Sequence, residues 1–285
     1  MRHLSSLLLY LRENRALAAG LGLIAALLLF GLVGRLVVDV SHAQPLSAPP
    51  RLAPTAAYPF GTDDAGRDLL AVMVVGVPLT LRIGFMAGIV GLGVGIALGF
   101  LSGYAGGKVD AAVRGTVDTL LTVPGLLVLI SIASTIREEI SVEIMALVVA
   151  SLSWMFPTRT IRAQVLTLRE RAYVHMARLN GMGGFEIIWK ELLPNLLPYL
   201  ASSFAVAVSA AVLATISLEA LGLGPQNEPT VGMTIYWAIS FSSLLRGMWW
   251  WWAIPIIFLV VLFVGLLLIA VGLDELANPK QRPAT

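Results

Sequence analysis

Residues 168–198 read LRERAYVHMARLNGMGGFEIIWKELLPNLLP. The stretch is charged and helix-forming, and it lies between two strongly apolar segments. In a chain dominated by apolar runs it must sit outside the lipid, because each charge at the bilayer centre costs about 2.5–3.5 kcal/mol or more. Residues 171–179 suit a short helix, with Ala172, Met176 and Leu179 on one face by i, i+4, i+7 spacing. Gly181, Gly183 and Gly184 break it, since glycine tolerates backbone angles that other residues avoid. Phe185, Ile188 and Trp189 form a second stripe, and Pro194, with no backbone donor, fits the start of the next helix. The polar face carries Arg171, Arg178, Glu186 and Lys190. Shape alone leaves two readings: a helix pair lying on the membrane surface, and a docking surface for a soluble partner.

The rest of the chain decides that this is a membrane protein. It has 285 residues, 58% hydrophobic and 13% charged, with a mean hydropathy of +0.86. Soluble domains carry roughly 25% charged residues. The net charge of +2 is small, and nothing points to nucleic acid. With no cysteine, disulfides, thiolate metal sites and thiol catalysis are excluded.

A transmembrane helix needs about 20 mostly apolar residues. Six candidates emerge: 17–38, 79–102, 116–136, 143–154 extended to 160, 196–223 and 253–273. Gly84, Gly88, Gly91, Gly93, Gly95 and Gly99 give the second span a small-residue spacing suited to close helix packing. With the N-terminus placed inside, most Lys and Arg residues fall on cytoplasmic segments, including Arg2, Arg12, Arg15, Lys108, Arg114, Arg159, Arg162, Lys280 and Arg282. Arg51, Arg67, Arg137 and Arg246 fall outside. This bias follows the positive-inside rule. The expected fold is all-α, with six spans and both termini cytoplasmic, which places residues 168–193 in the cytoplasm. The N-terminal apolar run is longer than a signal-peptide core, so it reads as an uncleaved first helix.

The loop carries a resemblance. Permeases of bacterial ABC importers share a cytoplasmic EAA loop of Glu-Ala-Ala, a later Gly and a terminal Leu-Pro. Ala177, Gly181, Leu193 and Pro194 fall on those positions, while His175 stands at the Glu, Met176 at the first Ala and Glu191 at a hydrophobic position. LRERAYVHMAR resembles LREREYVEAAR of the dipeptide/oligopeptide/nickel subgroup. FGTDDAGRDLL (60–70), SGYAGGKVD (102–110), VDTLLTVPGLLV (117–128), SLEALGLG (217–224) and DELANPK (274–280) look like that subgroup's segments in the same order. The similarity covers residues 58–279. Residues 1–57 then hold an N-terminal segment, the first span and an outer loop, and 280–285 form a polar tail.

The resemblance implies the type I ABC importer permease fold in a bacterial or archaeal cytoplasmic membrane. The expected partners are a second homologous permease subunit, two ATP-binding subunits, an extracytoplasmic solute-binding protein and membrane lipid. It further implies that Tyr173, His175, Ala177, Arg178, Gly181 and Met182 form a helix and bend seated in a groove of the ATPase, with Leu193 and Pro194 anchoring it to the fifth span. Peptides are the expected solute class, with oligosaccharides or nickel chelates as alternatives.

The chain has no P-loop, which needs G-x-x-x-x-G-K-[ST]. Gly106, Gly107 and Lys108 lack the first glycine and are followed by Val109. No cofactor is expected in this chain, and ATP and Mg²⁺ would bind the partner ATPases. No metal site is expected either. His3, His42 and His175 do not cluster. Asp63, Asp64 and Asp68 are hard oxygen ligands, but a helix cap by Asp63 or Thr62 with Arg67 paired locally explains that segment better. Glu219, near the outer end of the fifth span, is a candidate pore or substrate contact. Asp118 is expected to pair with Arg114 four residues earlier, and residues 249–252, WWWW, to form an interfacial belt. A secondary transporter working alone would call for inverted repeats and midplane ionisable groups, neither of which stands out.

Overall fold

A computed structural model describes residues 14–277. Arg2, His3, Arg12, Lys280, Arg282 and the 280–285 tail lie outside the described residues. The fold is helical: α1 (Arg15–Val37), α2 (Leu69–Ala105), α3 (Gly107–Thr122), α4 (Gly125–Thr135), α5 (Val142–Ser153), α6 (Met155–Arg169), α7 (Ala172–Leu179), α8 (Gly184–Ile187), α9 (Leu193–Glu219), α10 (Val231–Ser240) and α11 (Trp249–Ala277). By length and composition four segments can cross a membrane singly, or up to six spans form if each bent pair counts as one.

The central pillar is α2. At 37 residues it runs about 55 Å, longer than the roughly 30 Å hydrocarbon core. It starts at Leu69, ten residues before the expected 79, because Asp68 caps it: Oδ1 accepts from the Leu70 amide at 3.0 Å. Glycine lets its neighbours approach at backbone distance. Gly88 faces Val208 of α9, and Gly91, Gly95, Gly99 and Gly103 face Ser153, Pro157, Ile161 and Val165 in turn. Gly93 faces open space, so it is not part of the packing stripe read from sequence.

Two of the expected spans are bent pairs of helices. Val123 is extended, as the residue before a proline prefers, and the Pro124 junction bends α3 against α4 by 85°. Between α5 and α6 the bend is 43°, and Pro157 occupies the first turn of α6, where no donor is needed. The fifth span also starts earlier than expected. A π turn, Ile188–Leu192, joins α8 to α9, so the helix runs Gly184–Glu219. Pro194 and Pro198 remove donors here. The Asn195 side chain folds back on the helix and donates to Glu191 O at 2.6 Å.

The end of the fold where α2 begins closes over a segment not expected as a helix. Thr230 caps α10, its Oγ1 accepting from the Met233 amide at 3.2 Å. The tryptophan run is not a belt: Trp249 is exposed, but Trp250 and Trp251 are core, and Trp250 Nε1 donates to Thr62 O at 3.0 Å. At the other end, Asn14 caps α1 and donates to Gly272 O of α11 at 2.9 Å.

Candidate functional site

The loop after α6 is held from below and bare on top. Val174, Ala177, Ile187 and Leu192 are buried in one cluster with Phe100, Ile161, Val165, Leu196 and Leu200. The inward face is therefore part of the core that joins α2, α6 and α9. Arg169 Nη1 donates to Gly103 O at 2.9 Å, tying the loop's start to the end of α2. Tyr104 wedges beside Gly184, where an added Cβ would meet Tyr104 Cε1 at 3.0 Å, and its ring lies 5.7 Å from the Arg178 guanidinium carbon.

The bend is a Schellman closure. The Gly181 amide donates to Arg178 O at 3.0 Å and the Met182 amide to Ala177 O at 3.1 Å. Gly181 has φ +82° with open space around its Cα. Backbone angle, not crowding, selects glycine there.

The apolar stripe read from sequence faces out. Ala172, Met176 and Leu179 are all exposed, Leu179 at 82%, and Phe185 beside them at 80%. Trp189 continues the exposed ridge while Ile188 is half-buried. The ridge is flanked by exposed His175, Arg171 and Arg178. His175 Nε2 lies 3.9 Å from a Glu170 carboxylate oxygen. Tyr173 is half-buried, its hydroxyl without a partner, and desolvation pushes its phenol above the ordinary value. Leu193 is half-buried and Pro194 exposed where the loop enters α9.

A second feature is a cavity of about 690 Å³ between α4, the α5–α6 bend and α9. Ser153, Thr160, Tyr199, Ser202, Ser203 and Ser217 give it hydroxyls on a mostly apolar wall, and Asp274 is the charged residue lining it. The signal lay in the serines and small residues of an apolar span: Ser203, Val206, Ala210, Ala214 and Ser217 share one face of α9 and line the cavity. Glu219 is not on that wall. It is fully buried beneath α10, where an added Cβ on Gly232 would collide with its Oε2 and one on Gly224 would meet its Cγ at 2.6 Å.

The loop that precedes α2 is built by its aspartates. Asp63 Oδ1 accepts from the amides of Ala65 at 2.9 Å and Arg67 at 2.8 Å, which closes a turn and not a helix. Burial pushes the Asp63 carboxyl up. Asp64 accepts from Arg51 Nε and, at 2.7 Å, from Arg246 Nη1. Arg67 sits 4.0 Å from Asp63 and stacks 3.6 Å over the Trp237 ring. Asp118 pairs with Arg159 at 3.9 Å, not with Arg114 as the helix spacing suggested.

Long apolar helices, a core-seated charged loop with a bare apolar ridge, and a lateral cavity describe a membrane component that engages soluble partners. The model for the binding-protein-dependent transport system inner membrane component matches residues 95–283. The chain belongs to this family. The permease is 29% identical to the dipeptide transport system permease protein DppC of Bacillus subtilis (strain 168), over 95% of this chain and 84% of the relative. It is 30% identical to the oligopeptide transport system permease protein OppC of Escherichia coli (strain K12), over 95% and 89%. OppC of Mycobacterium tuberculosis (strain ATCC 25618 / H37Rv) is 30% identical over 80% and 78%. The protein is thus a multi-pass inner-membrane permease subunit of an ABC importer, a system that also contains ATPase and solute-binding components.

Proposed function

We propose that this permease forms half of a peptide translocation pathway, paired with a second homologous permease and driven by two ATP-binding subunits, one of which grips the loop 168–194. The peptide class rests on similarity to relatives named dipeptide and oligopeptide permeases. The observation that carries the coupling role is the exposed ridge of Met176, Leu179 and Phe185 on a loop whose other face is buried in the α2–α6–α9 core. An apolar ridge left bare needs a cover, and one rooted in the core can pass a rigid-body displacement to the spans. Tyr173, His175, Ala177, Arg178, Gly181 and Met182 make the knob and bend, and Leu193 and Pro194 join it to α9. ATP and Mg²⁺ bind the ATPase partners, which perform the hydrolysis.

The 690 Å³ cavity is this chain's share of the pathway. Its hydroxyl and apolar wall favours no fixed charge pattern, so selection falls to the binding protein. The face of α1 and α11, with exposed Leu29, Leu32, Leu36, Ile257, Val260 and Leu267, suits lipid. The test is uptake of labelled di- and tripeptides by vesicles holding the assembled transporter. ATP-dependent, binding-protein-dependent uptake is expected. Uptake by this chain alone under an ion gradient would overturn the proposal.

A further inference from the structure

A second, smaller cavity of about 160 Å³ opens between α3 and α6, lined by Arg114, Asp118, Thr158, Arg159 and Arg162 above buried Val117. Arg162 is committed to Asp110, on the turn below, by a two-pronged ion pair. Arg159 reaches Asp118 only at 3.9 Å, and both side chains are about half exposed or more. Arg114 is exposed and makes no ion pair among the described residues; it faces Asp110 through space. Arg114, Arg159 and Arg162 set against Asp110 and Asp118 leave a surplus of positive charge with unfilled guanidinium donors.

Such a surplus suits a monoanion that offers several acceptor oxygens, which is the chemistry of a phosphodiester. Val109 and Leu120 on α3 and Val123 just after it are exposed and give acyl chains an apolar surface to lie on. The cavity is on α6, whose last residue, Arg169, begins the docking loop, so it belongs at the membrane boundary on that side. The geometry points to a binding site for the phosphodiester headgroup of an anionic phospholipid, held by Arg114 and Arg159 and backed by Arg162. Basic pockets between helices on the cytoplasmic side take such headgroups. A lipid bound there braces α3 against α6 beside the loop that meets the ATPase.

The transporter, purified with its co-expressed partners and delipidated in detergent, is titrated with phosphatidylglycerol, phosphatidylcholine or inorganic phosphate while its thermal unfolding is followed. Phosphatidylglycerol is expected to raise the unfolding midpoint, and the other two are not. Arg114→Gln, which breaks no ion pair, is expected to raise the lipid concentration for half effect about fivefold. Arg114→Lys keeps the charge and most of the response, and Arg159→Gln supplies a second reading if the first variant folds poorly. An unchanged response in both Gln variants, or an equal response to phosphatidylcholine, overturns the site. An equal response to inorganic phosphate overturns the lipid as its occupant.

Discussion

Arg162 donates two hydrogen bonds to the carboxylate of Asp110, 52 residues earlier, with Nη2 at 2.6 Å from Oδ2. Ser102 donates to the same carboxylate at 2.6 Å. One acid thus joins α2, α3 and α6 beside the loop 168–194. Removing it leaves the partly buried guanidinium short of its acceptor. Asp110→Asn is expected to destabilise the purified protein by roughly 1.5–3 kcal/mol, read as a lower unfolding midpoint. The exchange Asp110→Arg with Arg162→Asp should recover part of the loss, and no recovery would show that the pair is not what binds the helices.

Helix spacing along α2 makes a second prediction. A Cβ on Gly95 would stand 2.5 Å from Pro157 Cβ, whereas Gly93 has nothing within 4 Å. Gly95→Val should push α6 away and cost about 1–3 kcal/mol of stability, as overpacking does. Gly93→Val should leave the packing intact. Equal midpoints for the two variants would contradict the assigned faces.

Much of this was legible in the sequence. Hydropathy located every long span, and the glycine spacing marked α2 as a packing helix. What failed to read was set by partners far along the chain. The start of α2 depended on Asp68 capping it. The break after Val123 needed Pro124 to be read as a bend within a span. Asp118 found Arg159 on another helix in place of its own i−4 neighbour. Trp250 and Trp251 were buried by the outer loop and α10, which no periodicity announced. In the loop 168–194, periodicity found the stripe of Met176 and Leu179 but could not say that it faces outward, because Val174 and Ala177 supply the buried side.

The loop 44–68 should loosen in acid. The hydrogen bond from Arg51, then the charges of Arg51 and Arg246, hold the Asp64 carboxyl below the usual carboxylate range. A depressed pKa means that the tether is complete above the unfolded value, about 3.9, and is lost as pH falls through the lower folded value. Protection of residues 44–68 from hydrogen exchange, taken relative to the intrinsic rate at each pH, should therefore fall below about pH 4. Asp64→Asn should show low protection at every pH. An exchange profile in that variant matching the wild type would remove Asp64 from the role.

Gly181 is selected by its φ of +82°. Gly181→Val is strained there by about 1–2 kcal/mol and should distort the knob while leaving the spans inserted. ATP hydrolysis by the assembled transporter should persist while substrate uptake falls. Gly181→Asn should retain more uptake, since Asn tolerates the left-handed region. Equal uptake by all forms would contradict a coupling role for the bend.

Because the chain has no cysteine, a single introduced thiol reports one position. Met176→Cys places it on the exposed ridge of α7. Its rate of maleimide labelling, measured in the chain alone and in the complex with the ATPase subunits, tests the docking role directly. Fast labelling alone and strong protection in the complex is the expected result. Equal labelling in both, with the ATPases demonstrably bound, would place the docking surface elsewhere.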